Sequence, residues 1–169
     1  MLVLGLDPGS RHTGYGLIES RGDRLRAVAH GRISCSASHP IERRLHHIVG
    51  QVEALLTQWQ PEAVVLESLF HGVNSRSLIV LAQARGALLA CLGAADFEVN
   101  EYSPAEIKSA VTGNGRADKT QVQRMVSLML SVPLADLNPD SADALAAAIC
   151  YSSRQGVERL AKRIESARQ

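Results

Sequence analysis

The first twenty residues, MLVLGLDPGSRHTGYGLIES, constrain the fold of this chain more than any other stretch. They open with a short apolar run at residues 2–6, which is typical of a strand that is buried on both faces. The run ends at Asp7, and the Pro-Gly-Ser sequence that follows predicts a tight turn into a second strand. A carboxylate at the end of a buried strand costs free energy unless a partner neutralises it, so Asp7 indicates a bound cation. The plainer alternative is an Asp that only caps the turn.

The composition is that of an ordinary globular domain, with 46% hydrophobic and 21% charged residues. Its 169 residues predict a single domain over 1–169. The most apolar stretch, residues 78–95, contains Gln83 and Arg85, so we predict no membrane span. The chain opens on a strand with no secretory signal, and its three cysteines are far apart. We therefore expect buried thiols, no zinc site and a cytoplasmic location.

Charge is distributed unevenly although the net charge is only +1. Residues 151–169 carry five basic side chains against two acidic ones, which predicts a basic helical tail at the end of the domain. Several acids elsewhere fall where an acidic site would lie, so the two signs are expected to be segregated in space.

The hydrophobic pattern predicts an α/β domain. Strands are expected at 2–7, 13–19, 24–35, 62–67 and 97–102, and helices at 41–60, 75–94, twice within 104–131, and from Pro139 into the tail. The helix before strand 62–67 makes a crossover, so that strand should run parallel to strand 2–7. The fold class is therefore a five-stranded mixed sheet, with three antiparallel N-terminal strands plus parallel strands, flanked by helices.

Four acids are expected to meet at one edge of this sheet. Asp7 and Glu67 end neighbouring parallel strands, which lie about 4.8 Å apart. Asp140 and Asp143 share a face of the last helix, and the alanines around Asp143 would let that helix approach the sheet closely. Oxygen ligands of this kind suit Mg²⁺ or Mn²⁺, and two such ions about 4 Å apart support phosphodiester displacement. Any one of these acids alone would more simply be a residue at the end of an element.

The segments GLDPGSRHTGYG, VVLESLF, QARG, DKTQVQ and DSADALA resemble the RuvC family of Holliday-junction resolvases, within the RNase H-like superfamily. The resemblance covers nearly the whole chain. It implies a Mg²⁺-dependent homodimer that cuts two opposing strands of a four-way DNA junction in recombination and repair, leaving ligatable nicks. A branch-migration motor complex of the RuvA and RuvB type would be a partner.

The family's metal-binding and catalytic acids fall on Asp7, Glu67, Asp140 and Asp143. The resemblance implies two Mg²⁺ per site, with Mn²⁺ able to substitute. Some relatives carry His at the position of Asp140, which makes Asp140 the least demanding ligand.

Candidate DNA contacts cluster around a glycine-rich loop. Lys108 and Lys119 flank the Gly113–Gly115 loop and Arg116 lies beside it, and such loops bind phosphates through backbone amides and basic side chains. The alternative is that the lysines are ordinary solvated side chains. The resemblance matches both lysines to DNA-contacting positions. It also gives Phe70 a stacking role near the junction crossover, with Arg76 in the same neighbourhood.

Helix 75–94 is apolar around most of its circumference, with small residues interspersed. One face can pack on the sheet, and the other needs a partner. We expect a two-fold homodimer interface there, because a four-way junction is itself close to two-fold symmetric. A charge at an exposed apolar position such as Leu81 would then yield a monomer.

Three other functions remain open on the residues alone. An actin-like ATPase uses a similar Asp-x-Gly turn around phosphates, but it needs two such domains. Another RNase H-like nuclease could act on RNA or on RNA–DNA hybrids. A non-catalytic junction-binding scaffold would not need four intact acids.

Overall fold

The computed structural model describes residues 1–22, 24–68 and 75–166, without the side chains of 75, 76, 158–164 and 166. The strands are β1 (Leu2–Asp7), β2 (His12–Arg21), β3 (Arg24–Ser34), β4 (Ala63–Glu67) and β5 (Val99–Tyr102). The helices are α1 (Ile41–Trp59), α2 (Ser75–Ala94), α3 (Pro104–Thr112), α4 (Lys119–Leu130) and α5 (Pro139–Ser166). Each predicted element is present. A short 3-10 helix at Leu134–Asp136 was not predicted.

The five strands form one mixed sheet in the order β3-β2-β1-β4-β5. β1 lies in the middle, antiparallel to β2 and parallel to β4, while β5 continues the parallel half. The predicted five-stranded mixed sheet, with three antiparallel N-terminal strands plus parallel strands, is confirmed. The central place of β1 explains its unbroken apolar run, because both of its faces and both of its edges are covered.

Helices cover the sheet on two sides, and alternation along β1 assigns its residues to them. Val3 belongs to the core beneath α3, α4 and α5. Leu4 and Leu6 belong to the core beneath α1 and α2. Because side chains alternate between the faces of a strand, Asp7 lies on the α5 side. The same alternation along β4 brings Glu67 to that side as well.

The first turns of α5 lie directly on the strands because three glycines, Gly5, Gly14 and Gly16, leave room for them. A Cβ at Gly5 would overlap the Ala144 carbonyl, and a Cβ at Gly14 would overlap the Asp140 backbone oxygen. Ala146 and Ala147 are fully buried in this contact. The close approach expected from the alanines is therefore present, and the glycines that permit it face the helix from the sheet.

Helix α2 forms the other layer together with α1. Its segment Ser77–Ala94 is long and apolar enough to cross a membrane by length and composition alone. Leu88 and Leu92 are fully buried against the sheet, so one face of this helix packs in the core.

The three cysteines are free thiols. Cys91 and Cys150 are buried as predicted, but Cys35 is only partly buried. The difference arises because β3 ends at Ser34, which places Cys35 in the following turn.

Candidate active site

The carboxyl ends of β1 and β4 place two acids next to each other. Leu6 pairs with Leu66, so Asp7 and Glu67 directly follow a matched pair in neighbouring parallel strands. Both acids line a cavity of about 310 Å³, which Asp143 also lines. The cavity opens at the carboxyl edge of the sheet, where ligand sites of open α/β sheets are found.

The start of α5 carries the other two acids. The Ser141 backbone N–H donates to Asn138 Oδ1 at 2.9 Å, so Asn138 caps the helix. From this cap, Asp143 extends into the cavity, whereas Asp140 lies at its rim and lines an adjoining groove. The four predicted acids therefore meet at one edge, with Asp140 the most peripheral.

Burial and mutual repulsion favour the protonated state of this cluster. Burial, followed by the charges of Glu67, Asp143 and Asp140, raises the pKa of Asp7 to about 8. Burial is also the largest cause that raises the pKa of Glu67 and that of Asp143. A cluster that resists ionisation in this way is stabilised by a cation.

Two basic side chains contact the acids. Lys119 Nζ lies 3.3 Å from Asp143 Oδ2, and this carboxylate is the largest cause that raises the pKa of Lys119. Arg32 Nη1 lies 3.4 Å from Asp140 Oδ2. Lys119 keeps 80% of its side chain exposed, so it can also reach a group outside the cavity.

The donor chemistry of the cluster fits a hard divalent cation. Four carboxylates provide oxygen ligands, and three of them line one cavity. As the side chains stand, no three His, Cys, Asp or Glu residues in the described part of the chain enclose a single ion.

The predicted DNA contacts are placed at different distances from the cluster. Lys108 lines the acid cavity together with Lys119. Arg116 is exposed in the loop between α3 and α4 and does not line the cavity. Arg76 belongs to the first turn of α2, but its side chain is outside the described residues, and so is Phe70.

A buried arginine that the sequence analysis left without a role fastens the end of β4. Arg85 is 7% exposed, and its Nη1 donates to the Glu67 carbonyl oxygen at 2.6 Å. Its Nη2 lies 2.6 Å from Glu101 Oε2 on β5. An arginine in the middle of an apolar helix was the available signal, because buried charges are nearly always paired.

Comparisons with known proteins agree with this geometry. The family model described as crossover junction endodeoxyribonuclease RuvC matches residues 3–151. Over 151 residues the chain is 44% identical to the protein of that name from Syntrophomonas wolfei, covering 89% of this chain and 88% of the relative. It is 45% identical to the one from Thermomicrobium roseum over 151 residues, covering 89% and 92%.

Among solved structures, the chain resembles Thermus thermophilus RuvC in complex with a Holliday junction substrate. The TM-score is 0.87 at 30% identity, over 94% of this chain and 96% of that one.

Proposed function

The chain belongs to the RuvC family of crossover junction endodeoxyribonucleases and is a metal-dependent Holliday-junction resolvase, and we propose that it cuts two opposing strands by two-metal hydrolysis at the four-acid cluster. The observation that carries the proposal is the convergence of Asp7, Glu67 and Asp143 on one cavity, with Asp140 at its rim. Mg²⁺ is the proposed ion, with Mn²⁺ able to substitute.

The acidic, basic and apolar residues that line the cavity have different roles in the proposed reaction. The four carboxylates would hold two ions, which when bound stabilise the attacking and leaving oxygens of the phosphodiester. Lys108 and Lys119 lie at the cavity wall, where their ammonium groups bind phosphate oxygens and hold the strand. Ile107 and Val122 provide an apolar wall that limits water beside the reacting phosphate.

A substrate panel tests the proposal. The protein is incubated with a four-way DNA junction, a matched duplex and an RNA–DNA hybrid, in Mg²⁺, Ca²⁺ or EDTA. We expect paired, symmetric cuts in the junction in Mg²⁺ and none in EDTA. Ca²⁺ should support binding but little cutting, because its looser coordination does not hold the reacting oxygens. Preferential cutting of the hybrid would instead favour an RNA-directed nuclease of the same fold.

Lys119→Ala is expected to weaken junction binding or slow cleavage, because one phosphate contact is lost. The slope of log affinity against log salt should flatten by about one unit. Fluorescence anisotropy in Ca²⁺ over a salt series measures this slope. Arg24→Ala is the control, since Arg24 lies at the opposite edge of the sheet. An unchanged slope and rate would make Lys119 an ordinary solvated side chain.

We also propose a homodimer through the outward face of α2. Ile79 is 60% exposed, and the small residues Ala82, Gly86 and Ala90 follow it on the same exposed face. Such a face permits close helix contact across a two-fold axis. The two acid clusters related by that axis would each cut one of two opposing strands of the junction.

Ile79→Glu is expected to yield a monomer that loses coupled incision while keeping the four acids. An unpaired carboxylate buried in the interface should cost several kcal/mol, on the order of 3–5. Sedimentation gives the oligomeric state and a cruciform plasmid reports coupling. Leu128→Glu is the matched control, because Leu128 is also an exposed large apolar residue, at 74%, but lies on α4. A monomeric wild-type protein that still makes coupled cuts would contradict the interface.

The expectation that Leu81 is an exposed interface position is wrong. Leu81 is only half-exposed and lines the acid cavity. The helical turn directs it toward the carboxyl edge of the sheet and away from the face of Ile79. A glutamate there would disturb the acids, so it cannot test the dimer.

Family membership also suggests the setting. We propose a branch-migration motor of the RuvA and RuvB type as partner, tested by cleavage of junctions preloaded with that complex. A cytoplasmic location accords with relatives that act on DNA. The actin-like ATPase is not favoured, because the family match spans the segment with the Asp7 turn.

A further inference from the structure

A groove leads away from the acid cavity on the other side of the turn after Asp7. Pro8 lines the acid cavity, whereas the next residues of the turn line a groove of about 580 Å³ together with Arg11, His12 and Arg44. Leu81 lines both spaces and Asp140 lies at the inner end of the groove. Neither Lys108 nor Lys119 lines it, so it is separate from the predicted lysine contacts.

The groove continues into another cavity at the start of α1. That cavity, of about 400 Å³, is lined by Ser34, Cys35, Ser36, His39, Arg43, Arg44, His46 and His47. Arg44 lines both spaces and joins them. We call the seven basic side chains of the two spaces the basic groove: Arg11, His12, His39, Arg43, Arg44, His46 and His47. Among the residues lining the two spaces, Asp140 is the one carboxylate.

Arg44 forms the floor where the two parts meet. Its Nη1 donates to Ser10 Oγ at 3.1 Å and to the Ser10 carbonyl at 3.4 Å, which ties it to the turn after Asp7. Its Nε is buried without a hydrogen-bond partner in the described part of the chain. The guanidinium charge of Arg44 is held at the point where the two spaces meet, because the turn after Asp7 fixes its Nη1.

Arg11 and Arg43 supply the accessible charge. Both side chains are exposed, and neither forms an ion pair with a described residue. By contrast, the exposed Arg21 and Arg26 on β2 and β3 are both paired with Glu19. Unpaired arginines beside hydroxyl groups suit phosphate, which the planar guanidinium binds through two hydrogen bonds.

We propose that the basic groove binds the sugar-phosphate backbone of a junction strand as it continues past the scissile phosphate. The inference rests on the proposed function, because the strand in the groove is taken to be the one that is cut at the acid cluster. Lys108 and Lys119 would hold DNA on one side of the reacting phosphate, and Arg11 and Arg43 on the other. Repeated backbone phosphates match a row of cations, and an isolated anion would not need its length.

The test compares the double variant Arg11→Ala/Arg43→Ala with Arg24→Ala, which removes one exposed arginine at the opposite edge of the sheet. Junction affinity is measured in Ca²⁺ over a salt series. We expect the double variant to flatten the slope of log affinity against log salt by about two units, and to bind on the order of tenfold more weakly at moderate salt. Arg43→Glu should weaken binding further than Arg43→Ala, because it adds repulsion to the lost contact.

The experiment distinguishes an error in the groove proposal from an error in the proposed function. If wild-type protein neither binds nor cuts the junction, the proposed function is wrong. If wild type cuts but the double variant matches Arg24→Ala in slope and affinity, only the groove is overturned. Equal thermal unfolding of the variants in EDTA excludes misfolding, which is not expected because both arginines are exposed.

Discussion

Asp7→Asn is expected to abolish junction cleavage, by at least about a thousandfold or about 4 kcal/mol of transition-state stabilisation, while junction binding is kept. Asp7 lies between the other acids, so its loss removes a charged ligand from the centre of the proposed metal site. The amide is nearly isosteric, and it relieves repulsion between the cluster and DNA phosphate. Single-turnover cleavage and anisotropy on one labelled junction measure the two effects.

The matched control for this substitution is Asp96→Asn. Asp96 follows α2 near the amino end of β5, at the edge of the sheet opposite to the acids, and it adopts a left-handed conformation that Asn tolerates. The control should cut like wild type. Comparable cleavage by Asp7→Asn would overturn the two-metal assignment. Glu67→Gln and Asp143→Asn should behave like Asp7→Asn, with Asp140→Asn milder because Asp140 lies at the rim.

The pH dependence of stability gives a second readout of the same variant. The pKa of Asp7 rises from 3.8 to about 8 on folding, so between these values the folded protein binds the proton that the unfolded chain releases. Without metal, Asp7 therefore makes folding less favourable as the pH rises from about 4 to about 8. The unfolding midpoint in EDTA should fall over this window, and fall less for Asp7→Asn. Parallel curves would contradict the raised pKa.

The central acids were predictable because strand geometry is local and periodic. Once β1 and β4 are parallel neighbours, the two-residue alternation fixes the side on which Asp7 and Glu67 lie. The spacing of Asp140 and Asp143 similarly fixes one helix face. The approach of α5 followed from its alanines, but the matching gap at Gly5 and Gly14 did not. A glycine in a strand has several explanations, and only the packed structure shows what occupies the missing Cβ.

The unpredicted parts of the site are tertiary contacts between distant residues. Arg32 reaches Asp140 from β3. The sequence marked Arg85 only as an interruption of an apolar helix, since its partners on β4 and β5 depend on how that helix is rotated. The same rotation decides that Ile79 is exposed whereas Leu81 lines the cavity. Helical periodicity could not resolve this, because α2 is apolar on most sides.

The contacts of Arg85 suggest that it positions Glu67. The guanidinium ties the carbonyl of Glu67 to Glu101 across the last pairing of β4 and β5. The backbone at the end of β4 is therefore held from α2, and the carboxylate of Glu67 extends from this fixed point into the acid cavity. Groups that orient a metal ligand typically contribute 10–100-fold to metal affinity or activity.

Arg85→Met is accordingly expected to lower the cleavage rate at saturating junction by about 10–100-fold and to raise the Mg²⁺ concentration needed for half-maximal rate. Methionine keeps the bulk of the side chain in the core but removes both donors. Arg85→Lys should recover part of the rate, because it keeps the charge and one donor but loses the planar fork. Junction affinity in Ca²⁺ should change little, since the Arg85 side chain is buried inside the protein.

Stability must be separated from positioning, because loss of a buried donor costs about 1–3 kcal/mol by leaving its acceptor unsatisfied. The double variant Arg85→Met/Glu101→Gln removes the unpaired charge as well, and it should recover stability without recovering the cleavage rate. Thermal unfolding in EDTA, measured beside the Mg²⁺ titration, distinguishes the two effects. If Arg85→Met cuts at the wild-type rate with the wild-type Mg²⁺ requirement, Arg85 is only a packing residue. If Arg85→Met instead cuts more slowly and needs more Mg²⁺, the inner face of α2 supports the reaction by holding Glu67 in place. The outer face of the same helix, which carries Ile79, is the proposed dimer interface.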